Sequence, residues 1–444
     1  MEQKKWTSYG EIYDTIVAAI RHDYAGGERL GNRHMPYVGA RLSLMHSRPF
    51  HGDDSTFFQD SRYYLGALGD PNLQVFKAEP DSIRDWDIGI RARACEDGLF
   101  VTKVREDSGF WPGDEILRIG NSSPEEIRKD SRSFLLYGDV KERELWDYYL
   151  RYAPTIEVRR NGEKKTVRPH HFPVVPENLA CIKKDAQDGK GRGNDLIFRP
   201  FPDNAIWLRL RCLPEKSEME LFLKEHEEQL DRASKLILDL RECKGGDLSG
   251  ILPLIPYLTD SPMTAEEFMG DQGLYIRYSH KNVIRITREL EVSQGSFPVN
   301  SEDYLAIQAE KERVQALKGC GFVWEAAEFP AGWRENRITP KGPLKVILLA
   351  DIGCRDEGEL FYRMAARQDR VVTMGRSTLG NTDYQEKMVL SFEDDLFFSY
   401  PIGMTREAYE GKGILRKGAP VDLYIPWSRE EIGPDLILEK ALQI

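Results

Sequence analysis

The chain has 444 residues, of which 41% are hydrophobic and 30% are charged, and its formal net charge at pH 7 is −11. This length is too great for one compact core and predicts two or three domains. The acidic balance offers no overall basic field, so nucleic acid is excluded as the expected main ligand. No run approaches the ~18 consecutive apolar residues of a spanning helix, which excludes membrane insertion.

The six cysteines are widely separated and form no CxxC pair. That spacing argues against a zinc site and against a dense disulfide framework, so we expect reduced thiols and no cofactor. The N-terminal residues MEQKKWTSYG have no apolar run behind their lysines. As presented, the chain therefore predicts a cytoplasmic protein, and an extracytoplasmic location would apply if a signal peptide had been removed.

The first predicted unit is a helical N-terminal segment over residues 1–80. Ser8 and Glu11 have the spacing of a capping box, and apolar residues then recur at helical spacing until Gly26 and Gly27. Such a pattern predicts an amphipathic opening helix that ends at the glycine pair.

The second predicted unit, over residues 81–172, is rich in short β-strands separated by turns. Strands are predicted at 88–94, 99–104, 115–119 and 155–160, with a helix near 142–152. The string GLFVTKVREDSG followed by PGDEILRIGN resembles a PDZ domain of the kind found in bacterial processing proteases. The resemblance implies an extended peptide added as a strand, with its C-terminal carboxylate held by backbone N–H groups around 85–89. The acidic side chains in that loop leave a structural lid as the alternative.

The remainder, residues 173–444, alternates between strands and helices. Strands are predicted at 205–211, 235–240, 345–350 and 370–374, with helices between them. This order indicates an α/β fold with a largely parallel sheet covered by helices. A long charged insertion, 260–343, is expected to be partly helical over 303–317 and partly an excursion over the active face.

Three stretches of this last region resemble the S41 peptidases, the C-terminal-processing and tricorn-core-like serine proteases. They are LILDLRECKGGDL (236–248), VILLADIGCRDEGELF (346–361) and VVTMGRSTLGNT (371–382). The resemblance implies an S41, crotonase-like protease core with a helix-covered sheet, joined to the helical N-terminal segment and the β-rich PDZ-like domain. It also implies a peptide or protein ligand.

The family's catalytic residues are replaced in this sequence. The family places its nucleophilic serine three residues before a glutamate, which puts the nucleophile position at Asp356, before Glu359. The general-base lysine position falls at Asn381, and the histidine that some relatives use falls at Asn72. The resemblance therefore implies a degenerate site.

Elementary chemistry leads to the same expectation. A carboxylate such as Asp356 is a poor nucleophile toward amides, and the amides of Asn381 and Asn72 cannot take a proton. We expect Asp356 to cap the following helix, and to occupy the oxyanion-stabilising position rather than attack. Gly245 and Gly246 match the family's oxyanion-donor turn, although a plain strand-to-helix turn would also require glycine.

Cys354 and Ser377 are the candidate substitute nucleophiles. Cys354 lies two residues before the nucleophile position, and Cys243 lies beside the glycine pair, so the two thiols could face one pocket. Ser377 lies in the Gly-rich loop. The alternatives are inert packing for the thiols and a turn role for the serine.

Three functions stay open on this basis. The first is a catalytically degenerate S41 homologue that binds a peptide or protein in the retained cleft. The second is an active hydrolase of the same family that uses Cys354 or Ser377. The third is a small-molecule carrier that uses the cleft, because a fold does not determine a function.

Overall fold

The computed structural model describes residues 8–30, 57, 61, 64–66, 68–77, 86–135, 140–173, 196–343, 345–392 and 396–444. Within these ranges, no helix combines the length and the apolar character that crossing a bilayer requires. The helices of the described residues are α1 Tyr9–His22, α2 Gly27–Leu30, α3 Pro124–Leu135, α4 Asp147–Arg151, α5 Lys216–Glu225, α6 Glu227–Asp231, α7 Ile255–Leu258, α8 Ala265–Met269, α9 His280–Gln294, α10 Glu302–Ala316, α11 Ala331–Glu335, α12 Glu357–Ala365, α13 Arg406–Tyr409 and α14 Leu436–Gln443.

The strands occur singly between helices in some stretches and in consecutive groups in others. They are β1 Gln74–Lys77, β2 Trp86–Asp87, β3 Ile90–Cys95, β4 Gly98–Val104, β5 Glu115–Ile119, β6 Ile156–Arg160, β7 Glu163–Val167, β8 Phe172–Pro173, β9 Leu196–Pro200, β10 Ala205–Leu210, β11 Lys235–Asp239, β12 Met263–Thr264, β13 Leu274–Tyr278, β14 Gly321–Glu325, β15 Arg337–Ile338, β16 Val346–Ala350, β17 Val371–Gly375, β18 Tyr384–Ser391, β19 Leu396–Met404 and β20 Leu423–Tyr424. Short 3-10 turns include Lys141–Arg143 and Leu248–Leu254.

The chain divides into two compact units, each built from separate stretches of sequence. The first unit comprises residues 1–83, 271–328 and 383–413. The second unit comprises residues 84–270, 329–382 and 414–444. The sequence-based domain limits at 1–80, 81–172 and 173–444 stay predictions.

The second unit contains a six-stranded sheet in the order β20-β17-β16-β11-β10-β9. Its strands run parallel except for β9, which is antiparallel to β10. Alternate residues of β11 enter two different cores, since Leu236 and Leu238 pack on one side and Ile237 on the other. Both faces of a parallel sheet are expected to be buried in this way. The predicted α/β fold, with a helix-covered sheet, is confirmed.

Another sheet of the second unit, antiparallel and in the order β3-β4-β5-β6-β7, falls within the predicted PDZ-like unit. The expected strands at 88–94, 99–104, 115–119 and 155–160 are confirmed within a few residues. Helix α3 was not predicted, and the helix expected near 142–152 is reduced to α4 and a 3-10 turn. The PDZ identity of this unit stays a prediction.

The first unit contains the opening helix and most of the long insertion. Helix α1 begins after Ser8, whose hydroxyl accepts a hydrogen bond from the Glu11 N–H at 3.3 Å, as the capping pattern predicted. Strands β13 and β14 of the insertion join β1, β18 and β19 in one antiparallel sheet. Helix α10 confirms the helix predicted at 303–317. The predicted excursion over the active face stays a prediction.

A partly buried ion pair connects the parallel sheet and the five-stranded antiparallel sheet of the second unit. Arg93 on β3 donates two hydrogen bonds to Asp351, which directly follows β16, at 2.9 and 2.7 Å. Arg376 donates a third at 3.1 Å. Burial alone would raise the pKa of Asp351, but the two guanidinium groups hold it well below its ordinary value. The carboxylate is therefore anionic in the folded protein.

We expect Arg93→Ala to lower the free energy of unfolding by about 2 to 3 kcal/mol at pH 7, because it removes two charge-assisted hydrogen bonds from a largely buried carboxylate that keeps only Arg376 as a cationic partner. The depressed pKa of Asp351 supplies stability above the unfolded-state pKa of about 3.9, and that contribution is lost as the pH falls below it. The loss in free energy of unfolding caused by Arg93→Ala should therefore become smaller as the pH falls. Urea unfolding of both proteins at pH values from 7 to 3 measures this change. Arg91→Ala is the matched control, since Arg91 lies on the same strand and is 54% exposed. Equal effects of the two changes would contradict the prediction.

Candidate functional site

Asp356 lies in the turn between β16 and α12, at the N-cap position of the helix. Its backbone has φ 53° and ψ −135°, a conformation that L-residues rarely adopt. A sharp strand-to-helix turn of this kind presents the nucleophile in other hydrolases. The expected side-chain cap is wrong, because the Asp356 carboxylate makes no capping bond. The Asp356 carboxylate instead accepts a hydrogen bond from a different loop.

That bond joins Asp356 to Asn381. The Asn381 amide Nδ2 donates to Asp356 Oδ1 at 2.6 Å, and the Asp356 backbone N–H donates to Asn381 Oδ1 at 3.0 Å. The structure therefore brings together the two positions that the resemblance assigns to nucleophile and base. Between them there is a carboxylate and a carboxamide, and the amide is oriented as a donor to the acid rather than as a proton acceptor.

Glu359 holds the Gly-rich loop in place. Its buried carboxylate accepts five hydrogen bonds from residues 378–382, three from backbone N–H groups and two from threonine hydroxyls. The N–H of Asn381 is one of the donors, at 2.9 Å. A buried charge is tolerated when its oxygens are saturated in this manner. Glu359 therefore determines where Asn381 stands.

Arg143 binds the carbonyl groups of the same loop. Its guanidinium donates to the backbone oxygens of Ser377, Thr378 and Leu379 at 3.0, 2.6 and 2.9 Å. Arg143 belongs to the predicted PDZ-like unit and is buried. The loop is thus held by an anion at its N–H groups and by a cation at its carbonyls, both within the second unit.

Gly245 and Gly246 form the turn that matches the oxyanion-donor position, with φ 95° and 131°. A Cβ at Gly246 would lie 2.2 Å from the Leu213 carbonyl oxygen, so the turn requires glycine. The Gly246 N–H donates to Glu357 Oε2 at 3.1 Å. The expectation that Asp356 would occupy the oxyanion position is therefore wrong, because the neighbouring Glu357 supplies that carboxylate and Asp356 turns toward Asn381.

The two candidate thiols are inaccessible. Cys354 and Cys243 are both fully buried. Burial raises the pKa of Cys354 well above its ordinary value and that of Cys243 to about 12. Both thiols are therefore protonated near neutral pH and have no open path to a substrate, which favours the packing alternative over the nucleophile role predicted for Cys354.

Ser377 is half-buried, and its backbone oxygen accepts from Arg143. In the part of the chain that the structure describes, its hydroxyl has no hydrogen-bond partner, so no base activates it there. This geometry favours the turn role over the nucleophile role.

Asn72 belongs to the first unit, where its amide Nδ2 donates to the Tyr384 carbonyl oxygen at 3.0 Å and its backbone N–H donates to Asp70 at 2.9 Å. Asp70 is buried and also accepts from the Tyr24 hydroxyl at 2.6 Å. Burial raises the pKa of Asp70 to about 6. Asn72 therefore acts as a structural donor at the position that the resemblance assigns to histidine.

The predicted carboxylate-binding loop of the PDZ-like unit also uses an internal carboxylate. Asp87 accepts from the Gly89 N–H at 2.8 Å and from Arg91 at 2.9 Å. Its side chain thus takes a backbone donor that a peptide carboxylate would otherwise meet, which favours the lid alternative for this unit.

Residues 207–425 match the model of peptidase family S41. Over this region, the chain is similar to peptidase family S41. No curated protein matches the sequence. Among solved structures, mature CPAF complexed with lactacystin is similar, with 15% identity, a TM-score of 0.61 and coverage of 98% of this chain and 97% of that one. Mature CPAF alone gives 14% identity, a TM-score of 0.59 and coverage of 96% and 94%. These similarities support the S41 fold.

Sequence reasoning named Asp356, Asn381 and the glycine pair, whose family roles stay predictions, and it missed three residues that shape the site. No role was predicted for Glu357, although it directly follows Asp356. Arg143 lies more than 200 residues before the Gly-rich loop, so no local pattern indicates that it binds this loop. Asp351 carried a usable signal, since a lone acid after a fully buried strand needs a cationic partner.

We expect Glu359→Gln to release the Gly-rich loop, because the new NH2 group faces donors instead of accepting from them. Hydrogen bonds to a charged group contribute roughly 1.5–3 kcal/mol each, so unfolding should become easier by about 2 to 4 kcal/mol. Hydrogen exchange at residues 380–382 should accelerate. Glu357→Gln is the control, since that side chain holds one N–H of a different turn. Unchanged exchange in the Glu359 variant would contradict the role of this carboxylate.

Proposed function

We propose that this S41 homologue binds an unfolded peptide or protein segment without cleaving it. The observation that carries the proposal is the reciprocal pair of hydrogen bonds between Asp356 and Asn381. Peptide hydrolysis by the family route needs a hydroxyl and a base that accepts its proton. At this pair, the carboxylate attacks amides poorly and the carboxamide accepts no proton.

A second feature supports the proposal independently. Stabilising a tetrahedral intermediate requires backbone N–H groups aimed at the developing oxyanion. The Gly246 N–H is already bonded to Glu357, and the carboxylate would repel a negative charge formed beside it. An intermediate at this turn would therefore be destabilised. Binding of an uncharged peptide backbone carries no such penalty.

The hydrolase alternative needs an activated substitute nucleophile. Burial protonates Cys354, and the Ser377 hydroxyl lacks a base among the described residues. No observation therefore raises either residue above the binding hypothesis. The carrier alternative stays a prediction of the sequence.

We expect the full chain to bind fluorescein-labelled reduced casein and to release no peptides from it. Anisotropy measures the binding, and gel electrophoresis with mass spectrometry measures cleavage. Glu357→Trp places a bulky ring over the glycine turn and should weaken binding by about tenfold or more, roughly 1.4 kcal/mol. Glu407→Trp is the control, since Glu407 also lies in the first turn of a helix. Cleavage that is lost in Cys354→Ala or Ser377→Ala would contradict the proposal and establish the hydrolase alternative.

We also expect the double variant Asp356→Ser with Asn381→Lys to fold and to remain inactive on casein. Asp356 makes no capping bond, so the change to serine removes none from the helix start, and the double variant loses the pair of hydrogen bonds between positions 356 and 381. Activity should stay absent because Glu357 still occupies the Gly246 N–H, and because catalytic geometry must be held within a fraction of an ångström.

A triple variant that adds Glu357→Ala separates these two causes. Peptide release by the triple but not the double variant would assign the block to the occupied N–H. Robust cleavage by the double variant would contradict the proposal and show that the site is preorganised for peptide hydrolysis.

A further inference from the structure

The first unit contains a cavity of about 360 Å³ at the meeting point of α1, β13 and α9. His22, at the end of α1, and Arg277, on β13, line it together with His280 and Lys281 at the start of α9. A cavity of this volume falls in the range that small-molecule ligands occupy. Its charged lining indicates which ligands it would accept.

The one acidic side chain of the lining, Asp23, is already neutralised. It is buried and accepts from the Ser279 hydroxyl at 2.7 Å and from Arg285 at 3.0 Å. Arg277 donates to the Tyr24 carbonyl oxygen at 3.0 Å and contacts the exposed Glu28 at 3.3 Å. These two groups therefore add little uncompensated charge to the cavity.

The other three side chains keep their donors available. His22, His280 and Lys281 are exposed, and they take part in no hydrogen bond or ion pair among the residues that the structure describes. An ammonium and two imidazoles thus converge on one cavity, whose acidic side chain, Asp23, is bound to Ser279 and Arg285 instead. The first turn of α9 contains no acidic residue, so its positive helix end adds to the same field. A chain whose net charge is −11 concentrates cationic donors here.

We propose that this cavity binds a phosphate group. Lysine is a common point-charge partner of phosphate, and an imidazole donates an N–H in either protonation state. Three such donors match the several acceptor oxygens and the double charge of a phosphate better than they match a single carboxylate. The volume also leaves room for the organic part of a small phosphate ester. This site is independent of the peptide-binding function proposed above.

Isothermal titration of the full chain with inorganic phosphate, and separately with glycerol 3-phosphate, tests the proposal. We expect saturable binding that Lys281→Ala and His280→Ala each weaken by about tenfold, the effect of losing one charge-assisted hydrogen bond. Lys412→Ala is the control, because Lys412 is an exposed lysine of the same unit that pairs with Glu410. It should leave the affinity unchanged.

Tighter binding of glycerol 3-phosphate would assign the site to a phosphate ester, and equal binding would assign it to free phosphate. Absence of saturable binding of both probes, or equal weakening in the Lys412 control, would overturn the proposal. Both tested side chains are exposed, so thermal melting should be unchanged in the variants. Casein binding by Lys281→Ala distinguishes the two proposals, since it should equal that of the unaltered chain.

Discussion

The buried carboxylate of Glu359 is the constraint on which the candidate site depends. It binds the N–H groups of the loop that follows β17, and Arg143 binds the carbonyl groups of the same loop. A peptide loop has few ways to satisfy both sets of partners at once, because its N–H and C=O groups must face opposite sides. The position of Asn381, and through it the orientation of Asp356, follows from this arrangement.

The site is consequently ordered, and its polar groups are paired with one another. The strained backbone at Asp356 persists because surrounding contacts determine it, which is the usual condition for such strain. Its carboxylate is bound to Asn381, and the nearby Gly246 N–H is bound to Glu357. A protease site keeps such donors free for the oxyanion that develops during reaction. Here the Gly246 N–H and the Asn381 amide each have an internal anionic partner in the resting state.

In the predicted PDZ-like unit too, a carboxylate of the chain itself binds a backbone N–H group that a ligand would otherwise use. Asp87 accepts from the Gly89 N–H within the loop where a peptide carboxylate is expected. This unit also contacts the turn between β16 and α12 through the Arg93–Asp351 pair. It contacts the Gly-rich loop through Arg143. Its contacts within the second unit are therefore those of a structural support for the loops.

Local pattern was sufficient to predict the elements of the α/β core and the family. Buried strands such as 235–240 and 345–350 are readable because apolar runs, bounded by turns, have few alternative structures. The spacing of short motifs supports the prediction that Asp356, Asn381 and Asn72 stand at the family's catalytic positions, and this assignment stays a prediction.

Only the tertiary structure decided which contacts these side chains make. The Asp356 side chain was expected at its own helix and instead meets Asn381, 25 residues later. Glu357 reaches Gly246 across 111 residues, and Arg143 reaches the Gly-rich loop across more than 230. Hydrogen bonds between distant segments depend on how sheets and loops are brought together, and sequence spacing along one element carries no information about them. The sequence therefore determined which groups are present, and the fold determined which of them are satisfied.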